Sequence, residues 1–321
     1  NWHPDFPTSA EQVLQFFALG NKKNVTTLVA INQDYAKILL DIIGEINLKD
    51  YNTIVNSSNI SDVLRSRRSE FFPGSKQKKH LLSQLLAQFQ IRIIEADENS
   101  KLNIIKQTLN QLTLKNIQLY SANDDIDQIF SKHNMRQELQ YEDDSEYLFF
   151  VESNVGINKA NKNILREVTV ETNDFESLIT VNFKNNNLQP SISNLTELVS
   201  NPETDDKKTE HLGYVNYQRI IVKPNWQLDY IKYNDQSIEN WDEDLIENKN
   251  GIEFKQIGFL TTLEEQSSAI LEVSFRNTEK NKDKIYIQKQ PGIPATPYTV
   301  KRKGNVLQIL LEKNLVIMKD I

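Results

Sequence analysis

The sequence predicts an α+β protein in two parts, an α/β region over residues 1–142 and a β-sandwich over 161–321, joined by a strand and loop at 143–160. Three observations carry this. Capped apolar stripes of helical period alternate with short β-branched runs in the first part. From Tyr147 onward the period changes to two. A length of 321 residues suits two domains with separate cores.

In the first part, Ser9-Ala10-Glu11-Gln12 has capping-box spacing after the entry through Pro4 and Pro7. Val13, Leu14, Phe16 and Phe17 form the stripe that follows, and Gly20 ends it. Trp2 and Phe6 are placed to pack as an apolar staple. Val25 to Ile31 reads as a buried strand. Asp34 is the cap expected for a helix over Tyr35–Ile43, which Gly44 terminates. Pro73-Gly74 precedes a strong helix with Leu81, Leu82, Leu85, Leu86 and Phe89 on one face. Ser100 opens another helix, with Leu102, Ile105, Leu109 and Leu112 on one side. A strand at Ile117–Tyr120 and a short helix over Asp124–His133 complete the region. A strand–helix succession of this kind favours an α/β arrangement.

In the second part, alternation predicts strands at Leu165–Val170, Leu178–Phe183, Tyr217–Val222, Ala269–Phe275, Lys284–Ile287 and Val306–Leu311. Polar loops between such strands suggest an Ig-like sandwich. Residues 185–211, polar and rich in Asn, Asp and Lys, read as a surface loop.

Composition narrows the chemistry. There is no cysteine, which removes disulfides, zinc-thiolate sites and cysteine nucleophiles. No apolar run approaches the ~20 residues that span a bilayer. The chain carries no signal peptide and does not start with Met, so it reads as processed or truncated. A net charge of -7 and the lack of a recognisable module argue against nucleic acid as a partner. His3, His80, His133 and His211 lack metal-ligand spacing. Asp124-Asp125-Ile126-Asp127 and Asp242-Glu243-Asp244 lack the glycine and terminal glutamate of a calcium loop. No metal or cofactor is predicted.

Three segments remain as candidate sites. Between Ile60 and Arg92, seven cations face two carboxylates. Arg65, Arg67, Arg68, Lys76 and Lys79 read either as phosphate contacts or as a solvated face with scattered ion pairs. Asn154, Gly156, Asn158 and Lys159 form either a binding loop or a shaped turn after a buried strand. Asp5, between Pro4 and Pro7, is either a fixed carboxylate for a metal or a base, or a turn and cap residue. Gln288-Lys289-Gln290-Pro291-Gly292 has turn chemistry at Pro291-Gly292 and reads mainly as structure.

Tyr147-Leu148-Phe149-Phe150-Val151-Glu152-Ser153-Asn154-Val155-Gly156-Ile157-Asn158-Lys159, Tyr286-Ile287-Gln288-Lys289-Gln290-Pro291-Gly292 and the opening Asn1-Trp2-His3-Pro4-Asp5-Phe6-Pro7 resemble one bacterial group, the domain-of-unknown-function 4012 family. That family is distantly similar to the LytR-CpsA-Psr glycopolymer transferases. The resemblance implies an extracytoplasmic envelope protein, anchored through a segment not in this chain. It implies a LytR-CpsA-Psr-like first domain that lacks its N-terminal half, so that a preceding segment or a companion chain completes it. It also places Arg65 and Arg67, with Lys76 and Lys79 as weaker positions, against a polyprenyl pyrophosphate or a phosphorylated envelope glycopolymer. Lysine stands here where the transferases use arginine, and the acidic residue ahead of their helix is missing. The expectation is therefore a non-enzymatic surface or assembly module, with polyprenyl-phosphate-linked glycopolymer binding or transfer as the alternative.

Overall fold

The structure, a computed structural model, describes residues 2–21, 24–66, 77–156, 160–187 and 213–318, with side chains at all of these except 21, 65, 66 and 77–79. It is a mixed α+β fold that divides into two compact units. One is Ala10–Gln137; the other joins the residues through Ser9 to everything from Glu138 onward.

The elements of the first stretch are α1 (Phe6–Asn21), β1 (Thr27–Ile31), α2 (Gln33–Ile43), β2 (Ile46–Leu48), β3 (Thr53–Val55), α3 (Ile60–Ser66), α4 (Gln77–Glu95), α5 (Glu98–Thr113), β4 (Ile117–Ser121) and α6 (Asp124–Lys132). The strand–helix succession favours parallel pairing, but β1 pairs with β4 and β2 with β3, both antiparallel. Three helix starts lie upstream of the expected caps. Asp5 caps α1 in place of Ser9, its Oδ2 accepting the Thr8 N–H at 3.1 Å. Asn32 caps α2 in place of Asp34, its Oδ1 accepting the N–H groups of Asp34 and Tyr35. Asp97 caps α5 in place of Ser100, which donates both its N–H and its Oγ–H to that carboxylate. Each start holds two capping residue types within four positions, and the upstream one takes the extended backbone a cap requires (ψ 169° at Asn32, 166° at Asp97). Gly44 closes α2 at φ 80°, returning its N–H to the Leu40 carbonyl.

The core of this unit takes Leu81, Leu85 and Phe89 from α4, and Ile104 and Leu112 from α5. Of the apolar stripe on α5, Leu112 is buried, while Leu102, Ile105 and Leu109 are exposed. Val25 to Ile31, expected as a buried strand, is half-buried at best, with Val29 and Ile31 exposed.

The β unit begins with β5 (Ser145–Asn154), β6 (Ile164–Thr172), β7 (Glu176–Asn185), β8 (Tyr214–Val222), β9 (Trp226–Tyr233) and β10 (Gln236–Ser237). It continues with β11 (Asp242–Glu247), β12 (Glu253–Leu263), β13 (Ser268–Asn277), β14 (Lys284–Gln288), β15 (Thr296–Arg302), β16 (Asn305–Leu311) and β17 (Leu315–Ile317). One sheet runs β10-β9-β13-β7-β6-β15-β16, the other β11-β12-β8-β5-β14-β17. Inward residues of both, such as Val170, Val181 and Val273 from one and Leu148, Ile220 and Phe259 from the other, share one core. Most pairs are antiparallel, but β5/β14 and β6/β15 are parallel.

One expectation is corrected here. Residues 143–160 are no junction, since β5 lies inside the six-stranded sheet between β8 and β14. Its Ser145–Glu152 stretch is buried on both faces, because Tyr147, Phe149 and Val151 enter a second cluster with Leu139, Ile221 and Phe254. Asp242-Glu243-Asp244 forms part of β11 at a sheet edge.

Candidate functional site

Arg67, Arg68, Lys76, Asn158 and Lys159 lie outside the described residues, as do the side chains of Arg65, in the last turn of α3, and Lys79, in the first turn of α4. At the end of β5, Asn154 Oδ1 accepts the Gly156 N–H at 3.1 Å, a local turn.

Asp5 is a structural carboxylate. It is fully buried; Oδ2 takes the Thr8 N–H and hydroxyl, and Oδ1 accepts the Leu139 N–H at 2.9 Å. Both oxygens are thereby committed to capping α1 and fixing the chain ahead of β5. Trp2 does not staple to Phe6. Its ring stands 5.5 Å from that of Tyr217, and the Arg219 guanidinium lies 4.6 Å from its centroid. Arg219 also donates to the Trp2 carbonyl at 2.7 Å. Tyr217 donates to Asp242 at 2.6 Å, and burial, then that bond, push its phenol up to about 12.

Gln288 and Gln290 clamp β5. Gln288 Oε1 accepts the Tyr147 hydroxyl at 2.6 Å, and its amide donates to the Glu138 carbonyl. The Gln290 side chain closes on the Glu152 backbone, accepting its N–H and donating to its carbonyl, each at 2.7 Å. Lys289 Nζ donates to the Ile293 carbonyl at 2.7 Å. Each of these polar side chains holds main chain or core hydroxyl.

The most polar constellation in the interior escaped sequence reasoning. Glu152 on β5 and Arg166 on β6 form a buried ion pair between the two sheets. Arg166 donates through Nε and Nη2 to the two carboxylate oxygens, and through Nη1 to the Ile164 carbonyl at 2.7 Å. The Tyr214 hydroxyl of β8 donates to the same carboxylate. Burial by itself lowers the guanidinium, but the facing carboxylate outweighs it and holds Arg166 above its usual value. Burial, then the Glu152 charge, raise Tyr214. The signal was phase: Arg166 shares parity with the inward Val168 and Val170.

A groove of the β unit, about 550 Å³, runs past Glu171, Asn173, Glu176, Tyr230, Lys301 and Lys303. Its lysines are already paired, Lys301 with Glu171 at 2.7 Å and Lys303 with Asp174 at 2.6 Å. No group of His, Asp or Glu among the described residues is arranged to hold a metal ion.

The helical unit offers apolar surface. Leu102, Ile105 and Leu109 make a continuous outer stripe on α5, exposed by 65, 58 and 54%. On α4, Leu82 and Leu86 are exposed one turn apart, and Ile94 is exposed near its end. β1 has β4 on one edge and no strand on the other among the described residues. Yet none of the described helices is long and apolar enough to cross a membrane.

No family model matches the chain, and no curated protein matches it. Among solved structures it is similar to a candidate nutrient-binding protein from Legionella pneumophila, at 8% identity and a TM-score of 0.27, over 48% of this chain and 54% of that one. It is also similar to a two-domain M1 zinc metallopeptidase bound to L-tryptophan, at 9% identity and a TM-score of 0.21, over 50% of this chain and 40% of that one. At such scores neither likeness carries an argument about function.

Proposed function

We propose that this chain is a non-enzymatic assembly module of the bacterial cell envelope, and that its helical unit binds further polypeptide along α4, α5 and the open edge of β1. The observation that carries the reading is the outer stripe Leu102, Ile105 and Leu109 on a helix whose inner face already buries Ile104 and Leu112. A helix apolar on both sides is patterned for the interior of a larger assembly. Scattered exposed apolar residues are ordinary, but contiguous stripes mark contact surfaces. Covering three such side chains stabilises by several kcal/mol, at about 1.5–3 kcal/mol each.

The envelope setting rests on the resemblance to the domain-of-unknown-function 4012 family, as do the LytR-CpsA-Psr-like reading of the helical unit and the Ig-like reading of the β unit. The same resemblance supplies the partner: a preceding segment of the polypeptide or a companion chain that completes the first domain. The alternative, a grip on phosphorylated lipid or glycopolymer through Arg65 to Lys79, rests on the sequence alone, because those side chains lie outside the described residues.

A photo-cross-linking side chain at Ile105, introduced in the native cell, tests the reading against a control at Lys106. The expected result is a cross-link to polypeptide at 105 and little at 106. Cross-links to lipid alone, or equal weak yields at both positions, would overturn it.

A further inference from the structure

A sheet edge presents unpaired N–H and C=O groups, and proteins blunt such edges by shortness, charge or cover. The two sheets of the β unit end in β10, β11, β17 and β16. Two of these are short: β10 has two residues and β17 three. The third, β11, reads Asp-Glu-Asp-Leu-Ile-Glu and is protected by its carboxylates. Among the described residues, the fourth, β16, has none of these protections. It runs seven residues, Asn-Val-Leu-Gln-Ile-Leu-Leu, without a charge, and Val306 and Leu310 stand exposed on its outer face.

The hairpin that makes β16 fixes which of its peptide groups are open. Lys303 and Gly304 form a two-residue loop, both at positive φ (48° and 87°), as in a type I′ turn. The pair flanking such a loop, Arg302 and Asn305, exchanges both its hydrogen bonds. Alternation then commits Leu307 and Ile309 to β15 and turns the N–H and C=O of Val306, Gln308 and Leu310 to the open edge. Pro297 stands opposite Leu310, at a non-bonded position where its missing N–H costs the hairpin nothing.

We infer that β16 pairs with β16 of a second copy of this chain, antiparallel and centred on Gln308, joining two seven-stranded sheets into one. The strand is nearly symmetric about that residue. Val306 falls opposite the partner copy's 310 position and Leu307 opposite its 309 position, while the two Gln308 residues face each other. All three outward residues then form hydrogen-bonded pairs with outward residues, the only kind of register this edge allows. On the outer face valine meets leucine, hiding the two side chains now in water. On the inner face leucine meets isoleucine, next to Leu307 and Ile309, which already pack on the shared core. No like charges meet within the paired stretch. The arrangement is isologous, as a two-fold dimer requires.

The chain has no cysteine, so a single introduced thiol reports the register. Gln308→Cys places two thiols opposite each other at about 5.5 Å between Cα atoms, within disulfide reach. Val306→Cys places them about 13 Å apart along the strands, out of reach. Under mild oxidation the first variant is expected to cross-link to a dimer and the second to stay largely uncross-linked. Sedimentation of the wild-type chain across concentration should show a monomer–dimer equilibrium. Gln308→Pro removes one outward N–H and leaves the ladder to β15 whole, so it should weaken association by about tenfold or more at an unchanged Tm. Leu310→Lys should do the same by placing charge on the edge, and it keeps the test open if the proline variant fails to fold. A wild-type chain that stays monomeric at high micromolar concentration overturns the inference. So does equal cross-linking at 306 and 308, or association that survives both edge variants.

Discussion

The β unit and the helical unit place their apolar and polar residues by opposite rules. In the β unit, strands alternate inward apolar with outward polar residues, and two carboxylates that enter the interior are matched. Glu152 meets Arg166 and Tyr214, while Glu146 accepts from the Trp226 indole at 2.7 Å and from the Lys282 N–H at 2.8 Å. In the helical unit, α4 and α5 are apolar on an inner face and again on an outer one, and β1 carries Val29 and Ile31 half in water. A unit whose two sheets turn their inward residues to one shared core is closed around it. A unit with spare apolar faces has surface left to bury. The difference is the ground for proposing partner binding at the helices, and among the described residues it leaves the β unit one long uncharged edge.

The largest effect is expected where that closure depends on a charge. Arg166→Met strands the Glu152 carboxylate in the core and should cost about 3–5 kcal/mol, read as a lower urea midpoint. Adding Glu152→Gln should recover part of the loss, since the stranded charge is then gone. A single variant as stable as wild type would mean that water reaches the pair and that the interior is not closed there.

The comparison is sharpened by equal truncations on the two faces of α5. Ile104→Ala, on the inner face, should lose about 2–4 kcal/mol. Ile105→Ala, on the outer face, should change stability by less than about 0.5 kcal/mol. Equal losses would show the outer stripe covered within the isolated chain, which removes the reason for a partner.

That pair of residues also shows how far the sequence could be read. A helix at 98–113 is legible because its apolar residues recur at helical spacing. Its phase is not, because two stripes compete. The richer one holds Leu102, Ile105, Leu109 and Leu112, but of these the fold turns in only Leu112, together with Ile104 and Thr108, whose hydroxyl pairs with that of Tyr35 at 2.6 Å. Packing from a distant helix chose the phase. In the β unit several strands with one clean apolar face were legible, β9 was missed although Trp226, Leu228 and Tyr230 alternate with polar residues, and three of the other missed strands break the alternation for a reason. β12 carries Gly258 in mid-strand, where a Cβ would lie 2.2 Å from the Tyr217 hydroxyl oxygen. β15 carries Pro297, and β11 is acidic. The paired charge of Glu152 and Arg166 was written in the strand phase, but a cation on an inward position is credible only once its carboxylate is placed on another strand.

Gly258→Ala tests the outer face of the six-stranded sheet. The added methyl should push the Tyr217 ring aside and release its hydroxyl from Asp242, costing about 1 kcal/mol. The tyrosine absorbance titration should then lose the component near 12. If the titration is unchanged, the ring has not moved and the glycine is not there to make room for it.

The smallest expected effect is a pH slope at the start of the β unit. His3 accepts the Asp5 N–H on Nδ1 at 3.1 Å, a bond that only the neutral ring can take. Burial lowers its pKa below the usual histidine range, and Arg219 lowers it further; Asp5 opposes both and does not win. A lowered folded-state value means that the unfolded chain binds the proton more tightly. Stability from this group is therefore whole above about pH 6.5 and is lost as pH falls through 6.5 toward the folded value. Between pH 7 and about 5, before the carboxylates titrate, the wild-type chain should lose stability more steeply than His3→Asn, whose side-chain oxygen can accept the same N–H without titrating. Parallel slopes would place the imidazole in water, and with it the turn that leads Asp5 to its cap and to the Leu139 N–H ahead of β5.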